Sequence, residues 1–319
     1  LFEDMRIKGY IDLKDVLCFI EGFKTPFENI NGRVNFTENT SDFKDINAFS
    51  GLSLLNVSGS AVNDIKTKIP EIDITAEGSS LKAGDTIRFL AESTYYPEKY
   101  PDLSPFYTLD SEHDLHLEYK AKSADFQPDK IYAVINLHKP SGANPIKTES
   151  GRITVKNAGA LLENINGYIF NSRFNISGSI KNIDKINPVY NVSFTSKEFY
   201  LKNLGRLEEL KIIPEKAAQF FKQFSDYTGV MNFKGGLKNN VFNASADVKG
   251  FSFINSAGGA PLKFDNFSFK INDDKLSAEN ITANIGNIPV FGSIKAEKIY
   301  TKPYINGYIT GRLADDLIK

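Results

Sequence analysis

The stretch LENINGYIFNSRFNISGSIKNI, which spans Leu162–Ile183, contains two runs in which apolar residues alternate with mostly polar ones. Side chains in a β-strand switch face at every residue, so each run predicts a strand with one apolar face. The turn-forming sequence between the runs, at positions 171–173, predicts a β-hairpin. The positions expected to share one face are Ile165, Gly167 and Ile169 in the first run, and Phe174, Ile176, Gly178 and Ile180 in the second.

Parts of this hairpin recur along the chain in the same order. The sequence ENING occurs twice and INGYI recurs once more, and both ENING copies are followed by a strand that contains Gly-Ser. Recurrence of one supersecondary unit is typical of a repeat architecture. The strand openings lie at Glu28–Gly32, Glu163–Gly167, Asp265–Ile271 and Ile305–Ile309, and the Gly-Ser strands at Val57–Val62, Ile176–Lys181 and Phe291–Ala296.

The composition argues against several classes of protein. The 38 basic and 39 acidic residues balance, whereas a nucleic-acid-binding chain usually carries a basic stripe. A single cysteine, Cys18, cannot form an internal disulfide. No apolar run reaches the roughly 18 residues that a membrane-spanning helix needs. Because the chain of 319 residues begins at Leu1, we expect it to be part of a longer protein.

The pattern along the chain predicts five segments that are nearly all β. We expect a helix at Arg206–Phe224, where apolar residues recur every three or four positions and Pro214 divides the run. The segments rich in proline or glycine, Tyr95–Thr108 and Lys139–Pro145, are expected to be loops. The segments are a β block at 1–94, a Pro/Tyr-rich loop with strands at 95–150, a second β block at 151–203, a helical segment at 204–226 and a third β block at 227–319.

One short helical interruption cannot cover the apolar faces of so many strands, because a helix of about twenty residues is only about 30 Å long. Antiparallel sheets with one apolar face need something to cover that face. The residues therefore leave three architectures open. The sheet closes as a sandwich or barrel, stacks as a solenoid, or curls into a groove with an apolar inside.

The repeats and the C-terminal strands resemble the AsmA-like family of bacterial envelope proteins. The resemblance rests on the ENING units, the strands that end in Val/Ile-Ser-Gly-Ser, and the sequence Tyr-Thr-Gly-Val after the helical segment. The segment from Gly229 to Leu313 carries most of it, with PLKFDNFSFKINDDKLSAENITANIGNIPVFGSIKA similar to the C-terminal region of the family. Positions 64–150 resemble the family least.

This resemblance implies an elongated, curled antiparallel sheet, a taco-like β-groove that is apolar inside. It also implies the periplasmic part of a protein anchored in the inner membrane, which carries phospholipid to the outer membrane. Expected partners are phospholipid acyl chains and the inner and outer membranes or their proteins. Nucleic acid is not expected as a partner, and no cofactor is expected. The candidates for lipid-facing residues are Ile165, Ile169, Phe174, Ile176, Ile180, Phe267, Phe269, Ile271, Ile305 and Ile309.

Other motifs favour structural roles over chemistry. His113 and His116 are three positions apart in a predicted strand, so they point to opposite faces and cannot share a metal ion. Gly235-Gly236 lacks the lysine and the helix of a phosphate-binding loop and is interpreted as a turn. We expect no catalytic or metal-binding residues and no enzyme activity. A structural or adhesive protein whose apolar faces cover each other is the alternative, and a glycan-acting β-solenoid would need clustered inward carboxylates.

The predicted faces of the central hairpin lead to a test. Ile176→Asp is expected to abolish lipid binding, because a charge on the apolar path costs several kcal/mol. Ser177→Asp, one residue along on the wet face, is expected to leave binding intact. The measurement is the phospholipid that co-purifies with each variant, and equal losses from both would contradict the assignment of faces.

Overall fold

The computed structural model describes residues 7–20, 22–64, 66–94, 103–107, 109, 111–123, 125, 127–138, 145–185, 187–210, 222–255, 261–299 and 304–311. Within these residues the chain is mainly β, with strands assigned to a 17-stranded antiparallel sheet and one short α-helix. The expected mainly β class is therefore confirmed. The curling of the sheet into a groove stays a prediction.

The secondary structure follows the chain in a nearly unbroken series of strands. The first part contains β1 (Lys8–Cys18), β2 (Phe27–Thr37), β3 (Thr40–Ser50), β4 (Ser53–Asn63), β5 (Pro70–Lys82), α1 (Ala83–Ala91), β6 (Glu112–Lys122), β7 (Ile131–Leu137) and β8 (Ile146–Lys156). Then come β9 (Gly159–Ile169), β10 (Ser172–Lys181), β11 (Val189–Tyr200), β12 (Phe224–Lys238), β13 (Val241–Asn255), β14 (Leu262–Asn272), β15 (Lys275–Ile285), β16 (Ile288–Glu297) and β17 (Tyr304–Gly311). Short 3₁₀ segments lie at Ser104–Phe106, Pro128–Lys130 and Leu201–Leu210.

The chain divides into two compact units. The first unit comprises Leu1–Ile165 and Ser179–Val189, and the second comprises Asn166–Gly178 and Tyr190–Lys319. The hairpin of β9 and β10 contributes residues to both units. In each unit, strands that follow one another in sequence pair antiparallel, as β1 does with β2 and β11 with β12. All odd-numbered strands of a unit therefore run in the same direction.

The pairing register aligns the apolar side chains of the first unit on one face. In the middle of the ladder, Ile74 of β5 pairs with Gly59 of β4 and Tyr119 of β6. Charged residues occupy the other face, where Lys120 Nζ lies 3.2 Å from Asp73 Oδ2. The densest apolar cluster contains Ile30, Ile46 and Ala48, against which Leu13, Val16, Phe27, Val34, Phe43 and Val57 pack.

The second unit separates its side chains in the same way. Phe269 of β14 pairs with Ala246 of β13 and Ala278 of β15 on the apolar face. The adjacent Lys270 pairs with Ser245 and Ser277 on the polar face. At the paired positions of β1–β8 and β11–β17, no Asp, Glu, Lys or Arg lies on the apolar face.

A residue in the left-handed conformation interrupts seven of the described odd-numbered strands, at the middle of the strand or in its C-terminal half. In β3, for example, Phe43 and Ile46 both lie on the apolar face although they are three positions apart, because Asp45 has φ of +54°. The extra residue is a β-bulge, which accommodates two polar residues between apolar neighbours. The seven residues are Asp15, Asp45, Ser80, Asn164, Glu198, Gly250 and Asn280.

Side chains on the next strand hold several of these bulges. The amide nitrogen of Asp45 donates to Ser58 Oγ at 3.1 Å, and that of Glu198 donates to Asn232 Oδ1 at 2.8 Å. The amides of Asp15 and Ser80 donate in the same way to Asn31 Oδ1 and Asp114 Oδ1, at 3.1 Å in both cases. A bulge removes a backbone amide from the ladder, and the side-chain oxygen restores its hydrogen bond.

The recurrence of ENING has a structural counterpart. Asn29 and Asn164, the second residues of the two copies, have φ of +50° and +47°. The isoleucine that follows each of them, Ile30 and Ile165, is 8% exposed in both copies. The repeated sequence therefore encodes a repeated left-handed turn of the backbone followed by a buried isoleucine.

Several details of the sequence interpretation were wrong. The described α-helix is Ala83–Ala91, which lies within the predicted first β block. The predicted helix at Arg206–Phe224 can be compared only in part: residues 206–210 belong to a 3₁₀ segment, residues 211–221 lie outside the described part, and Phe224 already begins β12. Gly235-Gly236 lies inside β12, and the chain turns later at Asn239–Asn240, where β13 follows. The central hairpin turns at positions 170–171, so Phe170 is a turn residue with φ of +55°.

The left-handed conformation at Asp45 leads to a stability prediction. Asp45→Val is expected to lower the free energy of unfolding by about 1–2 kcal/mol, because a β-branched L-residue is strained at positive φ. Asp45→Gly is expected to maintain or raise it, since glycine adopts this conformation freely. The measurement is urea denaturation followed by circular dichroism.

Asp42, on an ordinary extended position of the same strand, is the matched control. At this position the glycine variant is expected to be the less stable one. Asp42→Gly lowers the free energy of unfolding by about 0.5–1 kcal/mol, whereas Asp42→Val is tolerated. The same order at both positions would show that Asp45 is not held in a left-handed bulge in solution.

Candidate functional site

The apolar face of each unit is the candidate site, because it is large, free of formal charge at its paired positions and only partly covered. In the second unit exposure rises towards the last strands. Ile294 is 38% exposed, Ile305 67% and Ile309 73%. A face packed against a second sheet would bury such side chains almost completely. Its members from β12 to β15 are Met231, Phe233, Gly235, Leu237, Phe242, Ala244, Ala246, Val248, Phe251, Phe253, Leu262, Phe264, Phe267, Phe269, Ile271, Leu276, Ala278, Ile281, Ala283 and Ile285.

The 3₁₀ segment after β11 covers the bulged end of this face. Leu201 is 4% exposed and packs with Phe199 and Val248. Asn203, 1% exposed, donates from Nδ2 to Ser172 Oγ at 3.2 Å, and this hydrogen bond anchors the segment to β10. The covering of the second unit is therefore local and lies where β11 ends.

An aromatic cluster lies beside this cover on the same face. The ring centroids of Phe251 and Phe264 are 5.5 Å apart, and those of Phe264 and Phe267 are 5.4 Å apart. Tyr227 stacks on Phe251 with centroids at 6.3 Å, and burial raises the pKa of its hydroxyl. Adjacent rings of this kind add stability beyond the area that they bury.

The helix α1 covers the corresponding end of the first unit. It follows β5 directly, just after the bulge of that strand. Its Asp85 accepts hydrogen bonds from the Leu52 amide at 2.9 Å and from Ser53 Oγ at 3.0 Å. Its Phe89 stacks on Phe23 with ring centroids 4.4 Å apart. Both units thus place a helical segment at the end where their bulges lie.

His113 is a titratable base on the apolar face, beneath α1. It is 2% exposed and pairs across strands with Leu81 and Leu137. Its Nε2 lies 3.1 Å from Thr86 Oγ1 of α1, while Nδ1 is buried without a hydrogen-bond partner among the described residues. Burial lowers the pKa of this imidazole; the carboxylate of Asp114 opposes this shift and His138 adds to it.

His116 lies on the polar face and has the opposite electrostatics. Its ring nitrogens lie 3.1 Å from Glu118 Oε1 and 3.2 Å from Glu77 Oε1. The hydrogen bond to Glu118, and then that to Glu77, raises the pKa of the imidazole. The expectation that His113 and His116 point to opposite faces is confirmed. The described residues contain no group of three potential metal ligands.

The ten predicted lipid-facing residues occupy apolar positions but differ in what covers them. Ile169, Phe267 and Phe269 pack against the buried cluster of Phe199, Leu201 and Val248, so protein covers part of their surface. In the central hairpin, Asn175 Nδ2 donates to Asn166 Oδ1 at 2.9 Å on the polar side. The alternation of the strands therefore places Ile165, Ile169, Phe174 and Ile176 on the other side, and Ile180 follows in β10.

In the C-terminal strands the register assigns the remaining candidates. Ile271 pairs with Ala244 and Leu276, while Ile305 pairs with Ala296 and Ile309 pairs with Gly292. Contact with lipid stays a prediction for all ten residues.

Sequence reasoning missed the covering segments and the polar features that hold them. No apolar periodicity marks α1, whose sequence AGDTIRFLA looks like the end of a strand followed by a loop. Asp85 next to the backbone of Gly51 could not be found, because the two residues meet only in the folded chain. The bulges did leave a signal, which is the spacing of three between apolar residues around a polar pair.

Compared with known proteins, the chain matches no family model, no curated protein and no solved structure. None of the helices that the structure describes is both long and apolar enough to cross a membrane.

The two histidines are expected to make the stability of the fold depend on pH in opposite directions. The unfolded chain protonates His113 near pH 6.5, whereas the folded chain resists protonation, so stability falls as the pH drops below that value. The contribution of His116 is complete below 6.5 and is lost as the pH rises through its raised pKa. Urea unfolding across this range measures both effects.

Two substitutions separate the pH effect of His113 from that of His116. His113→Leu is expected to remove the loss of stability on the acid side, and His116→Gln is expected to flatten the alkaline side. If His113→Leu leaves the acid side unchanged, His113 is not buried beneath α1 in solution.

Proposed function

We propose that the protein is a non-enzymatic lipid carrier whose apolar sheet face binds phospholipid acyl chains. The observation that carries this proposal is the long, charge-free apolar face, which stays partly exposed in the described strands of the second unit. A face of this kind needs a cover, and acyl chains have the matching chemistry.

The energetics favour a continuous path over isolated pockets. Each methylene group exposed to water costs about 0.8 kcal/mol, so a phospholipid with two chains loses tens of kcal/mol if it crosses water uncovered. Apolar side chains on adjacent strands lie only about 4.8 Å apart, so a chain that moves across the strands always contacts the next apolar side chain. The head group stays in water throughout, and no energy source is needed for sliding.

The covered ends define where acyl chains would lie. The helix α1 and the segment around Leu201 close the bulged end of the face in their respective units. The remaining apolar surface, which includes Leu237, Ile271 and Leu276, is the part available to lipid. A row of bulges increases the local twist and bend of a sheet, which supports the proposal that the sheet curls into a taco-like groove around its lipid.

The sequence resemblance to the AsmA-like family supports the proposal that this carrier works in the bacterial envelope. We propose that the chain is the periplasmic part of a protein anchored in the inner membrane. Its partners would be phospholipid and the inner and outer membranes or their proteins. The alternative from a different class is a structural or adhesive surface protein whose apolar faces cover each other.

The test is mass spectrometry of the chain purified gently from a bacterial host, first under native and then under denaturing conditions. We expect about one or more phospholipids per chain, released on denaturation. Ile294→Asp is expected to remove most of this lipid, because its side chain lies in the middle of β16 on the apolar face and is already 38% exposed. Because this side chain is already partly exposed, we expect the variant to fold, and circular dichroism checks its folding.

Ser293→Asp is the matched control, since it adds the same charge on the other face of the same strand. It is expected to retain the lipid of the unchanged chain. A lipid-free protein that unfolds cooperatively would reject the carrier and favour the self-covered structural protein. Equal lipid loss from both variants would reject the apolar face as the binding surface.

A further inference from the structure

His113 lies at the contact between α1 and the sheet of the first unit. It is 2% exposed, and it pairs with Leu81 of β5 and Leu137 of β7. Its Nε2 lies 3.1 Å from Thr86 Oγ1, which joins the ring to the helix. Its Nδ1 is buried and has no hydrogen-bond partner in the described part of the chain. The hydrogen bond to α1 is therefore the one that the described residues give this ring.

The surroundings of the ring suit a neutral imidazole and disfavour an imidazolium ion. A neutral ring has one N–H donor, whereas the ion has two. In the ion Nε2 can donate to Thr86 Oγ1, but the proton on Nδ1 meets no acceptor among the described residues. A buried donor without an acceptor is costly, and a buried charge is costlier still. The ion therefore needs water at Nδ1, and the closed contact excludes that water.

The charged groups of the neighbouring strands are paired with each other. Glu112 and Asp114 flank His113 in β6 and so project to the opposite face of the sheet. On that face Lys82 Nζ lies 2.6 Å from Glu112 Oε1, and His138 Nε2 lies 2.8 Å from Asp114 Oδ2. Burial lowers the pKa of His113, while Asp114 opposes this shift and His138 adds to it.

The two charged side chains of α1 are also engaged away from the ring. Asp85 accepts hydrogen bonds from the Leu52 amide and from Ser53 Oγ. The guanidinium carbon of Arg88 lies 5.3 Å from the centroid of the Tyr107 ring. A proton on the imidazole therefore gains no hydrogen-bonded counter-ion from the helix that covers it.

Of the two sides of this contact, the helix is the one that can yield. The sheet side is fixed, because β6 pairs along one edge with β5 and along the other with β7. The helix has nine residues, and a helix of that length is marginal in water once its packing is lost. Its apolar packing includes Phe89, whose ring centroid lies 4.4 Å from that of Phe23 and 5.3 Å from that of Phe27.

The first residues of α1 form a pivot. The amide of Ala83 donates to the carbonyl oxygen of Ser111 at 2.8 Å, and that of Gly84 donates to the carbonyl oxygen of Leu109 at 3.2 Å. These backbone hydrogen bonds hold the start of the helix at the end of β5. The part that can detach therefore begins near Thr86, the residue bonded to His113.

We propose that α1 is an acid-released cover of the first unit. When a proton adds to the imidazole of His113, residues 86–91 leave the apolar face and water reaches Nδ1. At neutral pH the uncharged ring keeps the cover closed. Release uncovers Phe23 and Phe27, against which Phe89 packs in the closed state. This device goes beyond lipid binding and does not depend on it, because the contacts that carry it lie within the protein.

Proton linkage gives the direction and the size of the effect. With α1 open, the ring is in water and its ordinary pKa of 6.5 applies, whereas burial lowers the pKa in the closed state. The open state therefore binds more protons, and its population grows as the pH falls below 6.5. One proton shifts the opening equilibrium by at most about tenfold for each pH unit. Between one unit above and one unit below 6.5, we expect a rise of up to about tenfold.

The test is hydrogen–deuterium exchange of the full 319-residue chain at these two pH values, with and without about 1 M urea. Exchange is corrected for the intrinsic rate at each pH. The amides of residues 86–91 are expected to lose about five- to tenfold in protection at the lower pH. Urea is expected to leave their protection unchanged, because a local opening exposes little surface. The amides of β6 are expected to be better protected and to lose protection in urea.

Three variants assign the effect to the proton on His113. His113→Leu is expected to reduce the pH response of α1 to less than about twofold, because leucine cannot take up a proton. Thr86→Val is expected to lower the protection of α1 at both pH values and to retain the pH response, since His113 still titrates. His116→Gln is the matched control, because it removes a histidine from the opposite face of the same strand. It is expected to retain the full response.

Two outcomes would overturn the proposal. One is equal protection and equal urea dependence for α1 and β6, which would show that the helix opens only when the whole unit unfolds. The other is a pH response that survives in His113→Leu or disappears in His116→Gln. The urea comparison uses the unchanged chain, so it decides the proposal even if a variant fails to fold. None of these outcomes bears on the phospholipid that co-purifies with the protein.

Discussion

An extra residue in the left-handed conformation is the constraint on which the two faces of this protein depend. A strand of eleven or more residues accumulates twist, and the bulge bends it while keeping its apolar side chains on one side. The hydrogen bond from the Asp45 amide to Ser58 shows how the neighbouring strand stabilises this irregularity. Without the bulge, Ile46 and the residues after it would change face, and the apolar surface would be broken by charges.

The bulges also explain where the covering segments lie. The chain leaves β5 and β11 just after a bulge and continues into α1 and into the segment that contains Leu201. Both segments fold back onto the apolar face, one fixed by Asp85 and the other by Asn203. The opposite ends of the strands have tight turns, such as Asn239–Asn240, and the one helical segment described there is the short 3₁₀ turn Pro128–Lys130. Each unit is therefore closed at one end of its strands and more open at the other.

Much of the fold could be predicted from sequence, because alternation is a local property. The strands around Ile176 and Phe269 follow directly from their two-residue period. The helix Ala83–Ala91 could not be predicted, since its contacts to Ser53 and His113 come from residues distant in sequence. Gly235-Gly236 was misinterpreted as a turn because glycine pairs usually break strands. Here Gly236 lets the backbone of β12 lie close to the backbone of β11 at Val192.

The candidate site was predictable only as a face. Alternation assigned Ile305 and Ile309 to an apolar surface, and the register agrees. It could not reveal that the 3₁₀ segment covers Ile169, because that contact depends on the path of the chain after β11.

The sequential order of the strands affects how the protein forms. Because each strand pairs with its neighbours in sequence, most contacts join residues that are close along the chain, and such topologies fold comparatively quickly. A hairpin such as that of β3 and β4 is complete once its own twenty-odd residues have left the ribosome. Each later strand then adds to an existing edge. Among the described strands, β17 pairs with β16 and is exposed along its whole length, so we expect it to fray readily.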